Sequence, residues 1–226
     1  METLMQNISV VIDYRELFFR GMFNTILLTT LGVSIGLVLG LFLGIGKLSH
    51  NKIFNIPASI YVTIFRGTPL YIQILIIHLV VIPAFCELVG FSIPGALVSG
   101  IVALSLNSGA YIAEIFRGGI QSLDKGQTEA ARSLGMTNYQ TMRYIIIPQA
   151  FKRMLPPLGN EFIALLKDSS LLAVIAVNEL SYASTMAYKA TFVRGGPLFT
   201  VAILYLILTL ILTKFVKYLE RRFNTE

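Results

Sequence analysis

Between Arg20 and Lys47 the sequence carries no charged residue. A helix needs about 20 mostly apolar residues to cross a bilayer core, and this run supplies them. Such a segment satisfies its own backbone in lipid only as a helix. Four other stretches are also long and mostly apolar. The predicted spans run from Phe18 to Ile45, Ile53 to Ile82 with "FRGTP" interrupting it, Ile93 to Phe116, Met154 to Val177 with charges inside it, and Leu198 to Phe215. The composition agrees, with 55% hydrophobic and 13% charged residues against about 25% charged in soluble domains. Mean hydropathy is +0.73. The fold class expected is all-α: a polytopic membrane protein with five transmembrane helices. No linker or shift in composition divides the chain, so residues 1–226 read as one transmembrane domain. Met1 to Val10 has no basic flank and no small-residue cleavage site follows, so no removable signal peptide is expected.

The net charge of +6 is distributed unevenly. Lys47, Lys52, Arg117, Lys125, Arg132, Arg143, Lys152 and Arg153 fall in one set of loops, and Lys214, Lys217, Arg221 and Arg222 in the tail on that side. On the other side, Arg15, Arg20, Lys189 and Arg194 are offset by Glu2, Asp13, Glu16, Glu87 and Glu179. Positive loops stay in the cytoplasm. The expectation is a multi-pass protein of the cell membrane with its N-terminus outside and its C-terminus cytoplasmic. Gly32, Gly36, Gly40 and Gly44 recur every fourth residue of the first span. They share one face and suit close helix packing in lipid.

Several chemistries are excluded. Cys86 is the only cysteine, so no internal disulfide forms, and a small buried or loop residue is the reading for it. His50 and His78 have no metal-ligating company and read as structural, and no metal site is expected. "GIGKLS" has Leu41 where a phosphate loop needs glycine and Leu48 where it needs Ser or Thr. No ATP site and no nucleophile–base pair is visible, so the chain is not expected to be an enzyme.

The polar segment "EAARSLGMTNYQTMRYIIIP", Glu129 to Pro148, interrupts this apolar pattern on the cytoplasmic side. Asp124 can cap a short helix from about Gln127 to Leu134, and Gly135 suits the left-handed position that ends one. Thr137 and Gln140 have capping-box spacing for a second helix, which Pro148 should end or redirect. Residues 118–148 therefore predict a helix-turn-helix knob whose Ala130, Ala131, Leu134, Tyr139 and Met142 offer small and apolar surface to a groove on a partner. A DNA-binding helix-turn-helix fits less well. Its second helix has Arg143 as its one clear phosphate contact, whereas DNA affinity needs many cations, so no nucleic-acid partner is expected. An ordinary structured loop is the plainer alternative.

Glu129-Ala130-Ala131, Gly135 and Ile145-Ile146-Ile147-Pro148 resemble the EAA loop of ABC importer permeases, with Ile147 where that family has leucine. "FRGTPLYIQ" (Phe65 to Gln73), "AYIAEIFRGGI" (Ala110 to Ile120) and "LGNEFIALLKDSSL" (Leu158 to Leu171) resemble its polar amino acid branch, and the resemblance runs from about Gly21 to Phe215. It implies a permease core of two copies, identical or related, a cytoplasmic ATP-binding cassette dimer that carries the ATP and magnesium, and an extracytoplasmic solute-binding protein. No cofactor is implied in this chain. Glu129, Ala130, Ala131, Gly135 and Pro148 are then the residues that couple to the ATPase.

Charges inside spans are costly and face a bundle interior or cavity. Those here are Arg66, Glu114, Arg117, Glu161, Lys167 and Asp168. Three of each sign can simply pair, and Glu114 with Arg117 has the spacing to do so on one helix. Glu161 and Asp168, seven apart, share a face. "RGTP" sets Gly67, Thr68 and a proline beside Arg66, and "KDSS" places a natural helix cap before Ser169 and Ser170. Broken helices near mid-membrane form substrate sites in transporters. Amides near Gly67, Thr68, Ser169 and Ser170 can meet an amino acid's carboxylate, and Asn107, Glu161 and Asp168 its ammonium. The expected function is an importer permease for a polar or basic amino acid. A membrane scaffold or receptor that merely recruits a partner, a permease for another small solute and an ion channel are the alternatives.

Overall fold

The computed structural model describes residues 2–223. Helix α1 (Glu2–Asp13) leads into α2 (Arg15–Leu48) through Tyr14, whose amide bonds the Val10 carbonyl at 3.0 Å while its own carbonyl takes the Phe18 amide at 3.2 Å. After a short loop come α3 (Lys52–Gly67), α4 (Leu70–Ile76), a π-helical turn (Ile77–Val81) and α5 (Ile82–Val89). The long α6 (Ala96–Gln121) precedes the polar segment, which holds α7 (Lys125–Ser133), α8 (Asn138–Thr141) and a second π turn (Met142–Ile146). Then come α9 (Ile147–Asp168), a 3₁₀ helix (Ser169–Ile175), α10 (Leu180–Thr191) and α11 (Gly195–Phe223). The described residues contain no strand, as the all-α expectation requires.

The α2–α6 pair is the centre of the bundle, and the glycine ladder makes it. A Cβ on Gly32, Gly36 or Gly44 would lie 3.0 Å from Leu104, Ser108 or Phe116, and on Gly40 only 2.6 Å from Ile112. Both partner sets recur every fourth residue, so one small face of α2 runs along one face of α6. The apolar core gathers on this pair, with Leu28, Val33, Leu104 and Ile112 packed against Ile74, Leu165 and Leu172.

Four helical stretches are long and apolar enough to cross a membrane: Arg15–Leu48, Leu70–Val89, Ala96–Gln121 and Gly195–Arg222. The expected fourth span differs. Its place is taken by α9 and the following 3₁₀ helix, which carry Pro156, Pro157, Glu161, Lys167 and Asp168. That element is tolerated because α2, α6 and α11 pack around it. The expected second span is two elements, and it continues to Val89 rather than ending at Ile82. Pro69 disfavours a helical residue before it, and Thr68 is extended at φ −120°, ψ 147°.

Of the two outcomes expected at Pro148, ending or redirecting the helix, the first does not occur. Pro148 is accommodated at the start of α9, directly after the π turn. Pro83 sits the same way after the first π turn. Widening the ladder relieves the clash between a proline ring and the carbonyl four residues earlier.

Candidate translocation site and coupling segment

The break between α3 and α4 is a built turn. Gln73, buried on α4, donates from its Nε2 to the Phe65 carbonyl (2.8 Å), the Thr68 carbonyl (3.0 Å) and Thr68 Oγ1 (2.9 Å). Its Oε1 accepts from Asn107 Nδ2 of α6 at 2.9 Å. Buried polar groups must be bonded, and this pair converts that demand into a clamp that fixes the break against α6. Gly67 and Thr68 stay exposed, with open space around Gly67. Asn107 therefore stands behind the break, one residue before Ser108, and its amide is committed to Gln73.

Glu114 collects three cations from three helices. Arg117 grips it through Nη2 at 2.8 Å and Nε at 3.1 Å, the local pair expected from the spacing. Lys47, at the end of α2, bonds its other oxygen. Arg66, at the end of α3, approaches to 3.5 Å and lies 5.3 Å from the centre of the Tyr111 ring. Lys47 had read as a loop cation. Its side chain instead turns back along α2 to a partly buried acid, which no local pattern signals.

On α9, Glu161 is half-buried, and the Ser108 hydroxyl of α6 is buried with no hydrogen-bond partner among the described residues. Asp168 and Lys167 are exposed at the end of α9. Ser169 is buried, its hydroxyl donating to the Leu166 carbonyl at 2.7 Å and its amide serving the Leu165 and Lys167 carbonyls. The Ser169 donors are thus spent inside the helix end, because α9 continues into a 3₁₀ turn rather than stopping and restarting at "KDSS". Ser170 is half-buried and lines a cavity of about 300 Å³ with Lys167, Ser181 and Tyr205.

The sequence reading missed Glu179, placed among loop charges on the outer side. It is fully buried. Its carboxylate caps α10, accepting from the amides of Ser181 (2.8 Å) and Tyr182 (2.7 Å), and takes the Tyr205 hydroxyl at 2.8 Å. The loop before it turns through Ala176 at φ 58° and is tied to α2 by Asn24 Nδ2 on the Asn178 carbonyl (2.6 Å) and Thr25 Oγ1 on the Leu180 amide (3.1 Å). The only available signal was an acid just before a helical run.

The polar segment folds as its caps require. Asp124 Oδ1 accepts from the Gly126 amide at 2.8 Å and opens α7. Gly135 is left-handed at φ 84°, and the Met136 amide returns to the Ala131 carbonyl at 3.1 Å, closing the helix end. Thr137 and Gln140 form the capping box of α8. Gln149 reaches Gln127 at 2.7 Å, and Arg153 bonds the Ser122 carbonyl, so the knob is anchored on α9. Ala131 is buried under the turn, while Glu129, Ala130 and Pro148 are exposed. Leu134 at 84%, Tyr139 and Tyr144 form an uncovered apolar tip.

Residues 36–225 match the family described as binding-protein-dependent transport system inner membrane components. The chain belongs to that family. The permease is 37% identical over 216 residues to the probable glutamine ABC transporter permease protein GlnM of Bacillus subtilis, covering 96% of this chain and 97% of the relative. It is 36% identical over 218 residues to the arginine transport system permease protein ArtQ of the same organism, covering 96% and 97%. The crystal structure of an amino acid ABC transporter with histidines superposes with a TM-score of 0.86 at 43% identity, over 94% of this chain and 96% of that one. The permease is accordingly a membrane transport subunit of the amino acid ABC importer class and not itself an enzyme. Family membership implies an ABC ATPase and a binding protein as partners.

Proposed function

We propose that this permease carries a polar or cationic amino acid, and that its site lies between the α3–α4 break and α9. The observation that carries this reading is the placement of Glu161 on α9, a half-buried acid with no salt bridge among the described residues. An unpaired acid in a membrane is expensive, and a substrate ammonium offsets that cost. Glu161 and Asp168 receive the ammonium, with a cationic side chain using the second acid. Gly67, Thr68 and Ser170 face the carboxylate from the break and the 3₁₀ helix, and Arg66 stands beside them. Asn107 and Ser169 support this shape from behind through their bonds to Gln73 and Leu166. Relatives named for glutamine and for arginine support either substrate.

The knob then docks on the ATPase. Its exposed Glu129, Ala130 and Leu134, the turn at Gly135 and the π-turn entry to Pro148 form the docking surface, with Ala131 packed beneath. ATP and magnesium are bound by a cassette dimer, a second permease copy completes the path, and an extracytoplasmic binding protein delivers the substrate. The basic loops set the N-terminus outside and the knob in the cytoplasm. The test is equilibrium binding of arginine, glutamine and other amino acids to the purified complex in nanodiscs, comparing the parent with Glu161→Gln and Asp168→Asn. The expected result is an intact complex with weaker binding, most of all for cationic amino acids. Parental binding of the whole panel in both variants removes these acids from the site.

A further inference from the structure

We infer that Lys167, beside Asp168 at the end of α9, holds the carboxylate of the transported amino acid in a cavity it shares with Ser170, Ser181 and Tyr205. The inference rests on the site reading above, which gives Asp168 the substrate ammonium, and names the residue that reads the opposite charge.

Of the three cations inside the spans, Arg66 and Arg117 both pair with Glu114. Lys167 makes no salt bridge among the described residues. Its neighbour Asp168 is exposed as well. Consecutive helical side chains point about 100° apart and do not face each other, so the two do not neutralise one another. They present one positive and one negative group side by side. The ammonium and carboxylate of an α-amino acid are the complementary pair.

Lys167 also lies at membrane depth. α9 runs against α11, where a Cβ on Gly159 would lie 2.5 Å from Val216. Farther along the same two helices, Lys167 and Tyr205 line one cavity. Tyr205 is seven residues inside the apolar run that starts at Leu198, about 10 Å at the helical rise. An unpaired cation at that depth faces a cavity and marks a solute path.

The cavity holds about 300 Å³. The Ser170 hydroxyl enters it from the 3₁₀ helix with no hydrogen-bond partner among the described residues, so it can donate beside the Lys167 ammonium. Ser181 and Tyr205 form the opposite wall and are held in place. Glu179 accepts from the Ser181 amide and the Tyr205 hydroxyl, each at 2.8 Å, and the Ser181 hydroxyl reaches the Tyr205 oxygen at 3.4 Å. The Glu179 charge is fully buried behind Tyr205 and met by these donors and by the Tyr182 amide. What the cavity presents is one flexible ammonium with three donors, and a free hydroxyl. That set balances the single charge of a carboxylate.

The test uses the permease–ATPase complex in nanodiscs without the binding protein, so that the membrane site alone is read. Equilibrium binding compares arginine with agmatine, and glutamine with 4-aminobutanamide. The second member of each pair lacks only the α-carboxyl group. The readout is the ratio of the two Kd values. In the parent the amino acid should bind about ten-fold tighter or more, as a charged hydrogen bond predicts. Lys167→Met should bring the pair to parity, Lys167→Arg should keep a preference for the amino acid, and Ser170→Ala should fall between. A merely structural lysine would weaken both members alike and leave the ratio unchanged. Where Lys167→Met fails to assemble, Ser170→Ala decides by the same ratio. Equal binding of both members by the parent overturns the inference. Weakened binding in Asp168→Asn together with a parental ratio in Lys167→Met overturns the role of Lys167 and leaves the acids in the site. Parental binding in both Glu161→Gln and Asp168→Asn overturns the site reading and the paired recognition with it.

Discussion

Gly40 of α2 and Ile112 of α6 touch backbone to side chain, so closely that a Cβ on Gly40 would lie 2.6 Å from Ile112 Cγ2 and 2.9 Å from the Gly109 carbonyl. The contact sits mid-ladder, with glycines on either side in the same register, so neither helix can move aside at one point without disturbing its neighbours. Gly40→Ala should cost about 1–3 kcal/mol, as overpacking does. Gly118→Ala, where nothing lies within 4 Å, is the control and should be neutral or slightly stabilising. Thermal unfolding in one detergent compares them, and equal midpoints would show that the α2–α6 seam is not close-packed.

Glu179 should prove structural although it is a fully buried acid. Glu179→Ala leaves the Ser181 and Tyr182 amides without their cap and the Tyr205 hydroxyl without its acceptor. Stranded buried donors cost about 1–3 kcal/mol each. Tyr205→Phe removes the bond to Glu179 and the longer one from the Ser181 hydroxyl at 3.4 Å but no cap, so its loss should be about 1 kcal/mol. Midpoints ordered parent, Tyr205→Phe, Glu179→Ala are expected. If Glu179→Ala melts with the parent, the cap contributes nothing.

Gly135 is the hinge of the knob. At φ 84° a β-branched side chain is strained, so Gly135→Val should reshape the tip while leaving the spans in place. The complex should insert normally yet lose assembly with the ATPase or its substrate-stimulated hydrolysis. Leu134→Asp should act alike by placing a charge on the apolar tip, whose leucine is 84% exposed. Co-purification and hydrolysis assays check both, and parental coupling in Gly135→Val would contradict the docking role.

The orientation is checked with single cysteines in a Cys86→Ala background, Cys86 itself being buried. Ser122 and Phe192 are both exposed, Phe192 at 90%, and they lie in loops predicted on opposite sides. An impermeant thiol reagent should label Phe192→Cys, and not Ser122→Cys, in intact cells. The reverse pattern would invert the topology.

The sequence made some of this legible and hid the rest for physical reasons. Caps are local, so Asp124, Gly135, Thr137 and Gln140 announce their turns, and the glycine ladder announces its close packing. The break at Thr68–Pro69 was legible for the same reason. Pro148 misled because a proline's local penalty can be relieved by a π turn, which depends on packing around it. The fourth expected span does not stand out by apolar composition, because its charges are made tolerable by three neighbouring helices. Glu179, Gln73 and Lys47 were missed because their partners lie far along the chain, at Tyr205, Asn107 and Glu114.

ATP-driven movement of an amino acid through this permease is the activity to be measured. The most direct measurement is uptake of labelled arginine and glutamine into proteoliposomes holding the permease, its ATPase and the binding protein. ATP should drive accumulation of at least one of the two above the ATP-free control, and Glu161→Gln should slow it while leaving basal hydrolysis in place. Hydrolysis by an assembled complex with no ATP-dependent uptake of any amino acid tested would contradict the account.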